Sequence, residues 1–270
     1  MGILPNATMF TRYDEVHFQM AVIGLIPARL ESARLPRKAL LPIDGLPIIV
    51  HTFKRSLLAD SLDEVYVCTD SEEIADVVQT HDGRVIMTSD THTNDTERIA
   101  EAADKLTREM NYLEPDLIVD VQGDEPLLDP NHIDAVVAEH MRHEDWDILV
   151  PSQPFHEPET PHVVKIIHDV NYRIISMSRA VVPLPFKSKP KYYLKHLDSI
   201  SFRPAALRDF ASLETSNLES IEGIELMRAI ENGMTLGTVV LEGNSYSINV
   251  PEDYDRAKED ILNDPFRNKY

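Results

Sequence analysis

Hydrophobic and polar positions along this chain follow two patterns that alternate. Short, mainly apolar runs at residues 21–26, 64–69, 84–87 and 116–121 read as buried strands, because each offers little polar face to solvent. Between them lie segments with helical spacing. In 46–59, Ile48, Ile49, Phe53, Leu57 and Leu58 recur on one side; 71–80 is preceded by the cap Asp70-Ser71-Glu72; 96–110 is the third. Strand–helix alternation of this kind predicts an α/β protein with a mostly parallel sheet flanked by helices. The strand at 116–121 ends in Gln122-Gly123-Asp124-Glu125-Pro126, a turn that would aim carboxylates into the crevice where such sheets bind ligands.

From Pro151 the pattern changes. Residues 163–167 and 172–177 read as antiparallel strands, and Pro183-Leu184-Pro185 opens a loop rich in Lys and Pro. This predicts an insert, at about 151–217, that serves dimerisation or substrate binding. A helix at 220–232 and a strand at 235–241 return the chain to the main sheet, and a helix at 251–263 closes it. The expected organisation is an N-terminal arm at 1–20, one domain at 21–263 and a tail at 264–270. Met20 is an alternative start for the same frame.

Charge changes the picture most. The 270 residues carry a formal net charge of -20, yet Arg29, Arg34, Arg37 and Lys38 fall together just after the first strand. A local cationic loop in an acidic protein points to a small polyanion, and Arg29, Arg34 and Lys38 are placed to meet a triphosphate. Nucleic acid is not the expected partner. Asp124 is the metal-ligand candidate, since Mg²⁺ takes one or two carboxylates together with phosphate oxygens. No apolar run approaches the ~20 residues of a membrane span, and the first residues, with Asp14 and Glu15, do not read as a secretory signal. A cytoplasmic protein is expected. The single cysteine, Cys68, excludes an internal disulfide and sits in a buried apolar run. There is no Walker-type P-loop, no G-x-G-x-x-G after the first strand, no zinc-protease spacing and no G-x-S-x-G elbow.

Taken together, Ile26-Pro27-Ala28-Arg29, Arg34-Leu35-Pro36-x-Lys38, Thr69-Asp70, Thr96-Glu97-Arg98-Ile99-Ala100-Glu101 and Gln122-Gly123-Asp124-Glu125-Pro126 have a specific order and spacing. With Val164-Lys165, Ser178-Arg179-Ala180, Leu194-Lys195-His196-Leu197, the run from Leu218 to Arg228 and Pro251-Glu252-Asp253, the chain resembles the 3-deoxy-manno-octulosonate (Kdo) cytidylyltransferases, the CMP-Kdo synthetases. The resemblance spans about 21–262. It implies a nucleotide-diphospho-sugar transferase-like (Rossmann-like) fold, a homodimer, CTP and Mg²⁺, and a place in lipopolysaccharide biosynthesis. The anomeric oxygen of an acidic sugar would attack the α-phosphate of CTP, giving a CMP-sugar and pyrophosphate.

The resemblance also implies roles. Arg29, Arg34, Lys38, Asn94, Asp95, Thr96, Arg98 and Gln122 would bind nucleotide, with Arg29, Lys38 and Asp124 catalytic. Asp124 and Asn249 would hold the metal. Gln122, Lys165, Arg179, His196, Glu219, Glu222 and Glu225 would surround the acceptor, with Arg179 a candidate grip on its carboxylate. Glu219, Glu222 and Glu225 share one face of the predicted helix, where carboxylates also serve simply as solvated surface, and Arg228 is spaced to pair with Glu225.

The chain departs from the family pattern at several of these places. The family's Ser-Gly-Thr is Asn94-Asp95-Thr96; its Val-Asp-Thr-Pro-Glu-Asp is Ile248-Asn249-Val250-Pro251-Glu252-Asp253. Its His-Leu-Gly-Ile-Tyr-Gly-Tyr-Arg is His196-Leu197-Asp198-Ser199-Ile200-Ser201-Phe202-Arg203, and a helix glutamine is Leu226. Loss of hydrogen-bonding groups in a sugar pocket can change specificity by orders of magnitude. The expected acceptor is therefore not ordinary Kdo. Alternatives are another carboxylate- or phosphonate-bearing acceptor, and a catalytically weakened nucleotide-binding regulatory homologue, for which Asp95 and Asn249 speak. A glycosyltransferase of related fold is disfavoured because the turn at 122–126 lacks the paired aspartates of that metal motif.

Overall fold

The computed structural model describes residues 21–32, 34–92, 94–108, 113–243 and 246–270. The arm expected at 1–20 lies outside the described residues, as does the end of the helix expected to reach 110.

The first half is the strand–helix alternation that the apolar runs predict. β1 (Val22–Ala28) is buried along its whole length. A small hairpin, β2 (Pro42–Ile43) and β3 (Leu46–Pro47), leads into α1 (Ile48–Ser56), so the helix expected from 46 starts two residues later. Pro47 explains the boundary: it stands immediately outside the helix in an extended conformation. β4 (Glu64–Thr69) has the expected bounds. α2 (Glu72–Thr80) is capped by the Ser71 side chain, which accepts from the Ile74 N–H at 3.3 Å. β5 (Val85–Met87), α3 (Asp95–Arg108), β6 (Leu117–Asp120) and α4 (Pro130–Arg142) complete this half.

The second half is more broken. β7 (Ile148–Leu149) precedes four strands, β8 (Ser152–Phe155), β9 (Lys165–His168), β10 (Ile174–Ser178) and β11 (Tyr193–His196), which form a separate antiparallel sheet in the order β10-β9-β11-β8. β12 (Ile200–Phe202) then rejoins the main sheet, antiparallel to both β6 and β7. α5 (Pro204–Ser212) follows. The single helix expected at 220–232 is two short ones, α6 (Asn217–Glu222) and α7 (Leu226–Glu231). Gly223, at φ 62, ends the first. β13 (Leu236–Gly237) pairs parallel with β7, and α8 (Pro251–Asp260) packs near the chain end.

The main sheet has the order β13-β7-β12-β6-β1-β4-β5, with β1 at the point where the chain reverses direction across the sheet. Its pairs are parallel except those of β12, so this is a mostly parallel sheet flanked by helices. Residues of opposite faces fill two cores. Leu25, Cys68 and Ile118 pack with Ile99, Leu106 and Phe210 on one side; Ile26, Val67 and Val119 pack with Ile49, Phe53 and Ile74 on the other. The carboxyl ends of β1 and β6 therefore lie side by side, which brings the basic loop and the Gln122–Pro126 turn together.

One buried polar device ties α4 to β12. His140 Nε2 lies 3.0 Å from the Trp146 carbonyl, and Nδ1 lies 2.5 Å from Ser201 Oγ, an arrangement that suits a neutral ring donating to the carbonyl and accepting from the hydroxyl. Burial lowers its pKa to about 4. The unfolded chain protonates at the ordinary value of 6.5, so between pH 6.5 and 4 the unfolded state binds the extra proton. Stability should be full above that window and fall as pH drops through it. Urea midpoints measured across pH 7 to 4 should show this slope, and His140→Gln should flatten it.

Candidate active site

The site is built at the ends of β1 and β6. After Ala28 the chain leaves the sheet, and a 3-10 turn over Lys38–Leu40 returns it. Gly123 packs directly against this crossing: a Cβ there would lie 2.7 Å from the Pro27 carbonyl oxygen, so a side chain would force the two strand ends apart. Thr52 Oγ1 donates to the Gly123 carbonyl at 3.3 Å and the Ile248 N–H donates to the Asp124 carbonyl at 3.0 Å. The turn is thus held from two sides.

Lys38 is the centre of the arrangement. Its ammonium donates to the Ile248 carbonyl at 2.8 Å and forms an ion pair with Asp124 Oδ2. Asp124 Oδ1 is buried and has no hydrogen-bond partner among the described residues. Burial raises the Asp124 pKa while Lys38 pulls it down. Arg34 Nη2 donates to Asn249 Oδ1 at 3.1 Å, joining the basic loop to the segment before α8.

Two cavities meet here. The first, about 600 Å³, is lined by Arg29, Arg34, Lys38, Asp95, Gln122, Asp124 and Asn249, among others. The second, about 580 Å³, shares Arg29, Asp95, Gln122, Asp124 and Asn249 with the first and extends over Asn94, Thr96, Arg179, His196 and Glu225. A polyanion in the first cavity would therefore have one end open to a second ligand. The Asn94 side chain accepts from the Glu97 N–H at 2.8 Å, which fixes the entry to α3. Thr96 hydrogen-bonds Glu225, whose pKa burial pushes up. His196 Nδ1 is 3.6 Å from Asp198, its Nε2 has no hydrogen-bond partner among the described residues, and burial lowers its pKa.

Four residues expected at ligands line neither cavity. Arg98 is buried against β5, donating to Thr88 Oγ1 at 2.6 Å and facing Asp70 at 3.5 Å. Lys165 is fully buried and spends its ammonium on the backbone carbonyls of Thr160, Val163 and Arg179 at 2.6, 3.0 and 2.7 Å. Glu219 takes a two-pronged bond from Arg228, at 2.8 and 2.7 Å, and caps α6. Glu222 accepts from Ser178 Oγ at 2.7 Å and from the Arg179 N–H at 2.8 Å. The break at Gly223 separates Glu225 from Glu219 and Glu222, and of the three only Glu225 reaches the cavity. Arg179 does line it, but its guanidinium is held by four backbone carbonyls, those of Glu222, Pro161, His162 and Gly223. It therefore builds a wall more than it offers a free carboxylate grip.

Residues given no ligand role by the sequence also line the second cavity: Asp120, Glu125, Lys195, Asp198 and Ser247. Ser247 Oγ links Glu125 and Asp198, at 3.1 and 2.9 Å. Asp120 had a legible signal, a carboxylate inside the otherwise apolar strand that leads into the Gln122 turn. Of the departures from the family pattern named above, Asn94, Asp95, Asp198, Ile200, Phe202, Leu226 and Asn249 line this cavity.

A mostly parallel sheet whose adjoining strand ends carry a cationic loop beside a partly buried carboxylate suits a phosphate-bearing ligand. A cytidylyltransferase family model matches residues 23–236. The 3-deoxy-manno-octulosonate cytidylyltransferase of Thermodesulfovibrio yellowstonii is 35% identical over 89% of this chain and 98% of that protein. The 8-amino-3,8-dideoxy-manno-octulosonate cytidylyltransferase of Shewanella oneidensis is 33% identical over 91% of this chain and 100% of its own length. Among solved structures, a CMP:2-keto-3-deoxy-manno-octonic acid synthetase complexed with CTP superposes with a TM-score of 0.85 at 26% identity, covering 90% of this chain and 99% of that one. The chain belongs to the 3-deoxy-manno-octulosonate cytidylyltransferase family.

Proposed function

We propose that this enzyme transfers CMP from CTP to an acidic sugar of the Kdo type, releasing pyrophosphate, as a Mg²⁺-dependent cytoplasmic homodimer that supplies lipopolysaccharide assembly. The observation that carries the reading is the pair of cavities that share Arg29, Gln122 and Asp124. Arg29, Arg34 and Lys38 bind the triphosphate, and Lys38 offsets charge that develops on the leaving pyrophosphate. The unpartnered Asp124 Oδ1 and the amide oxygen of Asn249 suit a hard cation that takes few protein ligands. Such an ion, when bound, neutralises charge at the attacked phosphorus. The acceptor lies in the second cavity, where Gln122 and Glu225 orient its hydroxyls and the Arg179 wall excludes water. The antiparallel insert leaves Val170, Ile175, Leu184 and Phe186 exposed, an apolar surface suited to pairing with a second copy.

Among the described residues, no helix is long and apolar enough to cross a membrane. The test of function is pyrophosphate release with Mg²⁺ and each of the four nucleoside triphosphates, against Kdo-type sugars, sialic-acid-type sugars and small phosphonates. CTP with a Kdo-type acid should give release. Tight nucleotide binding with no release from any pair would favour the regulatory homologue instead.

A further inference from the structure

The two cavities meet along a short set of residues, Arg29, Asp95, Gln122, Asp124 and Asn249, which line both. Two of these are carboxylates and Asn249 is a neutral amide. Asp124 presents a buried Oδ1 with no hydrogen-bond partner among the described residues. Asn249 Oδ1 accepts from Arg34 Nη2 at 3.1 Å, so this amide brings no charge and already shares its oxygen with a cation. Asp95 is the first residue of α3, is partly buried, and lies within electrostatic reach of Asp124. Its place is not explained by helix capping. Asn94 does that work, accepting from the Glu97 N–H at 2.8 Å.

Two carboxylates brought to one ligand boundary repel each other, and a hard divalent cation shared between them removes the repulsion. The sequence pattern points the same way. Position 95 is glycine and position 249 aspartate in the family pattern, whereas this chain has Asp95 and Asn249. The boundary gains one carboxylate and loses one, so its negative charge is unchanged. Resting on the Mg²⁺–CTP reading above, we propose that Asp95 supplies the carboxylate that Asn249 lacks, so that the ion is held by Asp95 and Asp124 with Asn249 a neutral donor beside them. Among the described residues no three His, Cys, Asp or Glu side chains converge as a metal-binding group, in keeping with an ion that takes two carboxylates and completes its shell with phosphate oxygens and water. The two departures are then a paired exchange, and Asp95 is a metal ligand particular to this chain.

Two titrations of the full chain test this, and neither needs an acceptor. Mn²⁺, a spectroscopic stand-in for Mg²⁺, is titrated into enzyme without nucleotide while electron paramagnetic resonance reads the free ion. Asp95→Asn, which keeps the side-chain shape, should weaken Mn²⁺ binding ~10-fold or more, since even the partners behind a metal's direct ligands are worth ~10- to 100-fold. Adding Asn249→Asp to that variant should return the affinity to within about threefold of the parent. Calorimetry of CTP should then show a change of sign. Asp95→Asn should weaken CTP binding with Mg²⁺ present and tighten it in EDTA, where the carboxylate only repels phosphate. Asp95→Gly should repeat both results, so a poorly folded Asn variant does not decide the matter. Where the parent binds Mn²⁺ too weakly to read, the sign of the CTP effect decides alone. Mn²⁺ affinity within threefold of the parent in both Asp95 variants overturns the proposal. So does a double variant no tighter than Asp95→Asn alone, or CTP that binds Asp95→Asn more tightly both with and without Mg²⁺. If no acceptor yields pyrophosphate while these titrations come out as expected, the transferase reading falls and the exchanged carboxylate stands.

Discussion

Replacing Lys38 by Met should lower kcat about a thousandfold while leaving the fold intact, the upper end of what removing one preorganised charge-stabilising donor costs. Two effects combine. The ammonium proposed above to meet the triphosphate is lost, and Asp124, which pairs with it, keeps a carboxylate with no cation against it. Burial already raises the Asp124 pKa, and without Lys38 nothing nearby opposes that rise as strongly. The variant should therefore also bind Mg²⁺–CTP less tightly. Lys38 donates to the Ile248 carbonyl as well, so some loosening of the segment before α8 is expected. Steady-state pyrophosphate release and calorimetric CTP binding read the two effects separately. A variant within threefold of the parent enzyme would remove Lys38 from the reacting phosphates.

The second large effect concerns stability. Lys165→Met keeps the length of the buried stem and deletes the ammonium, leaving the carbonyls of Thr160, Val163 and Arg179 without that donor. At about 1 to 3 kcal/mol for each buried group left unsatisfied, the loss should be ~3 kcal/mol or more. Urea denaturation measures it directly. Below the unfolding transition, KM for the acceptor should change less than threefold, because Lys165 faces the insert and not the cavity. Unchanged stability with a tenfold rise in KM would return Lys165 to the acceptor.

That contrast shows what the sequence could and could not convey. The run at 65–68 is apolar and bounded by Glu64 and Thr69, and it forms the strand predicted at 64–69. The basic loop was legible because its cations stand out from an acidic chain, and Gln122 to Pro126 because it ends a buried strand. The single helix expected at 220–232 divides for a local reason: apolar spacing continues through Ile224, Leu226 and Ile230, yet Gly223 takes a left-handed conformation and redirects the chain. One glutamate then enters the cavity and two become scaffolding. Lys165 was illegible in another way, since nothing in a short strand distinguishes a lysine that binds ligand from one that bridges carbonyls. β12 has no clear signature in the sequence because its return to the main sheet depends on pairing with β6 and β7, contacts distant in sequence.

The central claim is that the α-phosphate of CTP moves onto the acceptor across the boundary of the two cavities. Phosphorus NMR of the products from CTP, Mg²⁺ and a Kdo-type acid tests it most directly. The account predicts one new phosphodiester resonance, that of the CMP-sugar, growing in step with pyrophosphate. Pyrophosphate with free CMP, or CDP with inorganic phosphate, would contradict it.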